Sequence, residues 1–331
     1  MFNYLKIVSM IISFVFLGEF FLKINENYNL LTLKRRLKID SNKDFYQNYK
    51  LNKNKIDSLN NNQNLNTFRI MILGDSRLLG FGLEKKYRFK NKLKNYLIND
   101  TNCEIFDYSG LSFNIFNNYV TFNKYFESIK PDIVILGWNY DDLLGNPSDN
   151  YSNYLKKNHS IFESIYKPTT IENEKNLISK IKFYYDTSPF LAFFKATIIH
   201  YTHKFGFSIP FGEYNRIINH LYYNNNKDWE SAKKMISNIV KSINKTNSKL
   251  IILKIPDFDI LERKHFNNID LILKKDFESY KEIIYIDSKN YFLNDYQKTL
   301  SISKYDGHPN AFTIDKISKN ISNIINKIHN E

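Results

Sequence analysis

From Thr67 to its end, the chain alternates short apolar runs with stretches of helical spacing. Five runs rich in Ile, Val and Leu predict strands, at 69–73 (RIMIL), 104–108 (EIFDY), 132–136 (DIVIL), 250–255 (LIILKI) and 283–287 (IIYID). Runs with no regular polar alternation are typical of parallel strands that are buried on both faces of a sheet. The pattern therefore predicts a parallel sheet covered by helices on each side.

Between these runs, apolar residues recur at spacings of three and four, as on one face of an amphipathic helix. Such stripes follow the first and second runs, and they also occupy 229–243 and 314–328. The alternation predicts an α/β fold, a three-layer α/β/α doubly wound sheet of about five parallel strands, over residues 67–331. The third and fourth strands are separated by more chain than a crossover needs. We interpret 144–227 as an insertion, either a cap over the functional site or a peripheral addition.

An apolar run near the N-terminus, 7–22 (IVSMIISFVFLGEFFL), is interrupted only by Glu19. Its length lies between the about 20 residues of a spanning helix and the 7–15 of a signal-peptide core. No small-x-small cleavage site follows, so we favour an uncleaved membrane anchor within residues 1–22. A cleaved signal and a buried or amphipathic helix remain alternatives. Most of the flanking basic residues follow the run, which by the positive-inside rule favours a cytoplasmic body.

The segment 23–66 is polar, with nine basic and four acidic residues, and predicts a linker. The whole chain of 331 residues carries a formal charge of +13, which suggests attraction to anionic surfaces. No nucleic-acid-binding motif accompanies this charge, so we expect no nucleic-acid partner. The single cysteine, Cys103, excludes an internal disulfide and a cysteine-based zinc site. His200 and His203 have no third ligand in the sequence pattern, so no metal is expected.

Polar residues suited to acyl transfer follow the predicted strands or precede the last helix. In an open α/β sheet, ligands bind at the carboxyl ends of the strands. Ser76 is the candidate nucleophile, and a serine hydroxyl needs a base, for which His308 is suited. Asp306 is placed to orient the imidazole. The N–H groups of Ser76 and Gly110 and the side-chain amide of Asn139 are candidate donors to an oxyanion.

These residues lie in four motifs, GDSRLLGFG, DYSGLSFN, ILGWNYDD and YDGHPNA. In this order they resemble the SGNH (GDSL-type) hydrolases, and the resemblance runs from about Phe68 to the C-terminus with the insertion unmatched. It implies a flavodoxin-like fold, a serine esterase or acyltransferase that needs no cofactor, and the residue roles given above. Arg77, where the family often has Leu, and Tyr140, where Asp is typical, depart from its pattern. Asp306 also precedes His308 by two residues, whereas three is the commoner spacing. These departures bear on the substrate more than on the activity.

The sequence thus predicts a membrane-anchored serine ester hydrolase that works through an acyl-enzyme on Ser76. A short acyl group, such as acetyl on a carbohydrate, is the preferred substrate class on resemblance alone. The chemistry favours an extracytoplasmic body, against the orientation that the flanking charges favour. One alternative is an O-acyltransferase that passes the acyl group to a glycan hydroxyl. Another is a non-catalytic surface or glycan-binding module of the same fold. We interpret Asp141 and Asp142 as helix-capping residues.

Overall fold

A computed structural model gives the fold and describes residues 67–97, 102–144, 218–222, 227–256, 266–295, 299–303 and 306–330, with Phe258 and isolated residues between 13 and 57. Five parallel strands form the main sheet: β1 (Phe68–Leu73), β2 (Cys103–Asp107), β3 (Ile133–Trp138), β4 (Lys249–Lys254) and β5 (Ile283–Asp287). Their spatial order is β2-β1-β3-β4-β5. The predicted parallel sheet is therefore confirmed, and each predicted strand lies within two residues of the observed bounds.

In the described part of the chain, helices alternate with the strands: α1 (Ser76–Leu79), α2 (Phe89–Leu97), α3 (Ile115–Ile129), α4 (Lys227–Asn244), α5 (Asn267–Glu278) and α6 (Ala311–Asn330). Short 3-10 turns occupy Lys85–Tyr87, Tyr140–Leu143 and Ser288–Phe292. Two further short strands, β6 (Ser301–Ser303) and β7 (Asp306–Pro309), pair antiparallel just before α6. This hairpin carries the end of the chain back to the carboxyl edge of the main sheet, where β7 lies close to α1.

The two faces of the sheet bury separate apolar clusters, because successive side chains of a strand point to opposite sides. Met71 and Leu73 of β1 belong to the cluster that includes the apolar stripes of α3, α4 and α5. Ile70 and Ile72 belong to the cluster that includes those of α2 and α6. Helices thus cover both faces, and the three-layer α/β/α prediction is confirmed.

The strand order places the carboxyl ends of β1 and β3 side by side, with Leu73 paired to Leu136 in the last register position. In a doubly wound sheet of this order, the crevice at which ligands bind lies where the order of strands reverses, between β1 and β3. Ser76 follows β1 and Asn139 follows β3. The fold therefore brings two of the predicted site residues to that crevice.

Part of the predicted linker packs on the body. Residues 50, 52, 54, 56 and 57 are described as helical, and Ile56 is buried in the same cluster as α3 and α4. The side-chain amide of Asn52 donates a hydrogen bond to the carbonyl oxygen of Asp107, at 2.9 Å. Asp107 ends β2, an edge strand of the sheet. The folded unit consequently begins before Thr67.

Most of the predicted anchor, 7–22, lies outside the described residues. Ser13, Phe14, Leu17 and Gly18 are described as helical, and the side chains of Phe14 and Leu17 are exposed. Among the described parts of the chain, no helix combines the length and the apolar character that crossing a membrane requires.

Candidate active site

The hydroxyl of Ser76 and the imidazole of His308 are in hydrogen-bond contact, with 2.8 Å between Oγ and Nε2. Ser76 is the first residue of α1, directly after the turn that ends β1, and His308 lies on β7. The two residues are separated by 232 positions in sequence. The structure therefore brings the predicted nucleophile and the predicted base together in the geometry that proton transfer requires.

The predicted acid, Asp306, lies on β7 two residues before His308. Its backbone is part of the described structure, whereas its side chain lies outside it. The orienting role of Asp306 therefore stays a prediction. A second contact to the imidazole is visible, since the ring of Phe81 lies 5.0 Å from that of His308 between centroids.

Asn139 follows β3 and begins the turn Tyr140–Leu143. Its Oδ1 accepts a hydrogen bond from the Tyr140 N–H at 2.6 Å, and its own N–H donates to Asp142 Oδ2 at 2.8 Å. The terminal atom of the Asn139 amide that faces the Tyr140 N–H must be the oxygen, because only the oxygen accepts. The other terminal atom is therefore the nitrogen, Nδ2. This Nδ2 is buried, and no acceptor for it exists among the residues that the structure describes. A buried donor without a partner costs about 1–3 kcal/mol, which an oxyanion bound there would offset.

Gly110 follows β2, as the sequence predicted, and its role as an oxyanion donor stays a prediction. Its N–H donates to the carbonyl oxygen of Gly74 at 3.0 Å, which continues the ladder between β1 and β2 beyond the strands. A Cβ at this position would lie 2.4 Å from the ring of Phe113. The glycine thus makes room for Phe113, and its N–H is used by the sheet in this arrangement. The donors that remain are Asn139 Nδ2 and the N–H of Ser76, which as a first-turn helix N–H has no intrahelical acceptor.

Two further glycines fix the approach of α1 to the sheet. A Cβ on Gly74 would lie 2.7 Å from Leu78 Cδ1, and one on Gly137 would lie 2.5 Å from the same atom. Leu78 is buried in the cluster beneath α2 and α6. Glycine at both positions therefore lets the helix that begins at Ser76 settle onto the ends of β1 and β3.

A cluster of charges beside Ser76 was not foreseen from the sequence. Asp75 Oδ2 lies 2.6 Å from Arg77 Nη1, and the same Nη1 lies 3.4 Å from Asp141 Oδ1. Carboxylate oxygens of Asp75, Asp141 and Asp142 lie within 4.8 Å of one another. Three carboxylates at such distances also suit a metal ion, but here the guanidinium of Arg77 supplies positive charge. Among the described residues, we therefore assign no metal site.

Asp142 is the most deeply buried carboxyl of this cluster. Burial raises its pKa well above the ordinary value of an aspartate, and the negative charges of Asp75 and Asp141 raise it further. The N–H of Asn139 and the charge of Arg77 act in the opposite direction. By accepting from the Asn139 N–H, Asp142 caps the turn, as its position in the sequence predicted.

A second buried charge network lies at the ends of β4 and β5. Lys254 Nζ contacts Asp270 of α5 and lies 2.9 Å from Asp287 Oδ2. The hydroxyl of Tyr140 donates to the same Asp270 at 2.7 Å. Burial and the charge of Asp270 raise the pKa of Tyr140 far above its usual range, so its hydroxyl stays a donor. The residue after Asn139 is thereby tied to α5.

The end of the insertion reaches the site. Residues 218–222 are helical, and the Tyr222 hydroxyl lies 3.3 Å from the Asn139 carbonyl oxygen, to which it donates. Tyr222 also accepts a hydrogen bond from the indole nitrogen of Trp138 at 3.2 Å. The greater part of the insertion, and with it His200 and His203, lies outside the described residues.

Cys103 is half-buried at the start of β2.

Comparison with solved structures finds similar folds. A crystal structure of TesA matches with a TM-score of 0.46 and 8% sequence identity, over 78% of this chain and 99% of TesA. A psychrotrophic esterase, EstA from Pseudoalteromonas sp., in a structure inhibited by monoethylphosphonate, matches with a TM-score of 0.42 and 11% identity. That match covers 78% of this chain and 98% of EstA. No protein family matches the sequence, and no curated protein does.

Proposed function

We propose that this chain is a serine ester hydrolase of the SGNH type, which forms an acyl-enzyme on Ser76. The observation that carries the proposal is the 2.8 Å contact between Ser76 Oγ and His308 Nε2. A serine hydroxyl is a weak nucleophile until a base accepts its proton, and a neutral imidazole at hydrogen-bond distance is such a base. The four sequence motifs point to the same chemistry.

In the first step, Ser76 Oγ attacks the ester carbonyl carbon while His308 Nε2 takes the hydroxyl proton. The electron pair of the carbonyl π bond moves to the oxygen, which the Ser76 N–H and Asn139 Nδ2 stabilise as hydrogen-bond donors. Collapse of this intermediate breaks the bond to the alcohol oxygen, which receives the proton from His308. Asp306 is the candidate to hold the imidazole in the correct orientation.

Water then attacks the acyl-enzyme through the same series of steps. His308 takes a proton from the water as its oxygen attacks the acyl carbon, and the second tetrahedral intermediate collapses to release the acid. The proton returns to Ser76 Oγ. No group outside the chain is required by this scheme beyond the ester and water.

The decisive experiment is labelling of the full chain with a fluorophosphonate probe, followed by intact mass and peptide mapping. We expect a single adduct at Ser76, lost in Ser76→Ala and slowed roughly a hundredfold or more in His308→Ala. Ser279→Ala is the matched control, because Ser279 lies at the end of α5 and its hydroxyl donates to Asp276 O. An adduct that persists in Ser76→Ala, or folded protein that never labels, would refute the assignment.

The finer substrate proposal is a short acyl ester on a carbohydrate, and it rests on the sequence resemblance. Incubation with an O-acetylated polysaccharide should release acetate in wild type and not in Ser76→Ala. Including an unacetylated acceptor glycan separates the two fates of the acyl-enzyme. If acetyl groups appear on the acceptor glycan and no acetate is released into solution, the chain is an acyltransferase.

We further propose that residues 7–22 hold the chain at a membrane, with the catalytic body outside the cytoplasm. The exposed apolar side chains of Phe14 and Leu17 support the first part. Full-length chain should sediment with membranes, and a chain lacking residues 1–22 should not. Protection of the body from added protease in sealed cells would overturn the proposed side.

A further inference from the structure

We propose that Arg77 is a positioning residue that holds the turn carrying Ser76 and the turn carrying Asn139 at a fixed separation. This inference rests on the proposed function, because it concerns the two donors assigned to the oxyanion. Those donors, Ser76 N–H and Asn139 Nδ2, lie just beyond the ends of two different strands, β1 and β3. The pairing of β1 with β3 and the packing of Leu78 set their separation in part, and direct contacts between the two turns set the rest.

On the first turn, Arg77 is bound twice by one carboxylate. Asp75 Oδ1 accepts from the Arg77 backbone N–H at 2.9 Å, and Asp75 Oδ2 pairs with Arg77 Nη1 at 2.6 Å. The guanidinium is nearly inaccessible to solvent, since Arg77 is 7% exposed. An arginine fixed at both its backbone and its head group, next to the nucleophile, has a defined orientation.

On the second turn, the same Arg77 Nη1 lies 3.4 Å from Asp141 Oδ1. The side chain of the neighbouring residue, Asp142, accepts from the Asn139 N–H at 2.8 Å, and the Asp142 N–H donates to the Asn139 carbonyl oxygen at 3.2 Å. A chain of contacts therefore runs from Asp75 through Arg77 to the turn that orients the Asn139 amide.

The positive charge of Arg77 is what keeps the two turns close together. Oxygens of Asp75 and Asp141 lie within 4.8 Å of each other, and two negative charges this close repel. Arg77 supplies a positive charge between the two turns. Without it, we expect the carboxylates, and the turns that carry them, to move apart. Donors that must converge on one oxygen lose roughly a hundredfold in rate for a displacement of about 1 Å.

The test measures kcat and KM of the full chain with p-nitrophenyl acetate, together with the rate of fluorophosphonate labelling at Ser76. Arg77→Gln should lower kcat and the labelling rate by roughly tenfold to a hundredfold, while KM changes less than about twofold. Arg77→Lys retains the charge and should recover part of the loss. Unchanged kcat in folded Arg77→Gln would overturn the inference.

Arg69→Leu is the matched control, since Arg69 lies at the opposite end of β1 and its Nη1 donates to Ile129 O at 3.4 Å. It should alter stability without altering kcat. A double-mutant cycle with Asp141→Asn then tests action between the turns. We expect the double variant to lose much less than the product of the two single losses. Independent effects would show that Arg77 acts within its own turn only.

A readout without turnover separates this inference from the proposed function. The side-chain NH₂ signal of Asn139 in an amide NMR spectrum, assigned by its loss in Asn139→Ala, should shift in Arg77→Gln and not in Arg69→Leu. If wild type fails to label at Ser76 while this shift occurs, the proposed function fails and the positioning role stands. If wild type labels and the signal does not move, only the positioning role fails.

Discussion

The ring of Phe81 packs against the imidazole of His308, with 5.0 Å between the two centroids. Phe81 is held between Gly80 and Gly82, whose φ angles of 75° and 81° lie in the left-handed region that glycine adopts without strain. The methyl end of Ile302 on β6 fills the space over Gly82. The loop after α1 and the hairpin that carries His308 therefore support each other.

Replacing Phe81 should disturb the base without removing any reacting group. Aromatic pairs contribute about 0.5–1.5 kcal/mol beyond their area, so Phe81→Ala should slow labelling of Ser76 roughly twofold to tenfold. Phe81→Tyr should restore the rate. The control is Phe68→Ala, since Phe68 packs on His329 at 4.6 Å and that histidine is at the end of α6. An equal loss of rate in both alanine variants would refute a specific role for Phe81.

Gly110→Ala distinguishes a packing role from a catalytic one. The variant keeps the backbone N–H but places a methyl group 2.4 Å from the Phe113 ring. Overpacking of this kind costs about 1–3 kcal/mol, which a denaturant titration would detect. The loss should shrink in a Phe113→Leu background, where the ring is absent. Normal stability with reduced kcat would instead favour a role of Gly110 toward substrate.

Removing Lys254 should take the nearer cation away from Asp270 and Asp287. Lys289 Nζ would remain, 4.0 Å from Asp270 Oδ2. The ammonium of Lys254 is buried between Asp270 and Asp287, so Lys254→Met should cost about 3–5 kcal/mol in the free energy of unfolding. The triple variant with Asp270→Asn and Asp287→Asn should recover most of it. Lys92→Met is the comparison, because the pair of Lys92 with Asp315 is partly exposed and should cost at most about 1 kcal/mol.

The raised pKa of Asp142 predicts a pH dependence of stability. Above the ordinary aspartate value of about 4, the unfolded chain loses this proton while the folded chain keeps it. The folded state then binds more protons, so its stability falls as the pH rises through this window. Asp142→Asn removes that cost and can still accept from the Asn139 N–H. Its stability relative to wild type should improve from pH 4 to pH 8, and a constant difference across that range would contradict the assignment.

Sequence patterns predicted the sheet well because its strands are buried on both faces. β5 has the predicted bounds, and β1 begins at Phe68, one residue earlier than predicted. The hairpin of β6 and β7 was not predicted, since its short segments carry little apolar pattern. Such patterns also cannot predict the order of strands in the sheet, because that order depends on the direction in which each crossover runs.

For the site, sequence motifs predicted the pairing of Ser76 with His308, which the structure brings into contact. They did not predict that the Gly110 N–H would continue a strand ladder, because this depends on the register of β1 and β2. The contacts of Arg77 with Asp141 were missed for a similar reason. An ion pair between two motifs becomes visible only when their strands are known to be neighbours.

The hydrogen bond from Asn52 to the Asp107 carbonyl has a consequence for aggregation. β2 lies at one border of the sheet, and unpaired backbone groups at such a border can recruit strands from other molecules. Asn52 occupies one of these acceptors, and Ile56 of the same segment is buried in the apolar core. We therefore expect a chain shortened to begin at Thr67 to leave this acceptor open and to self-associate more readily.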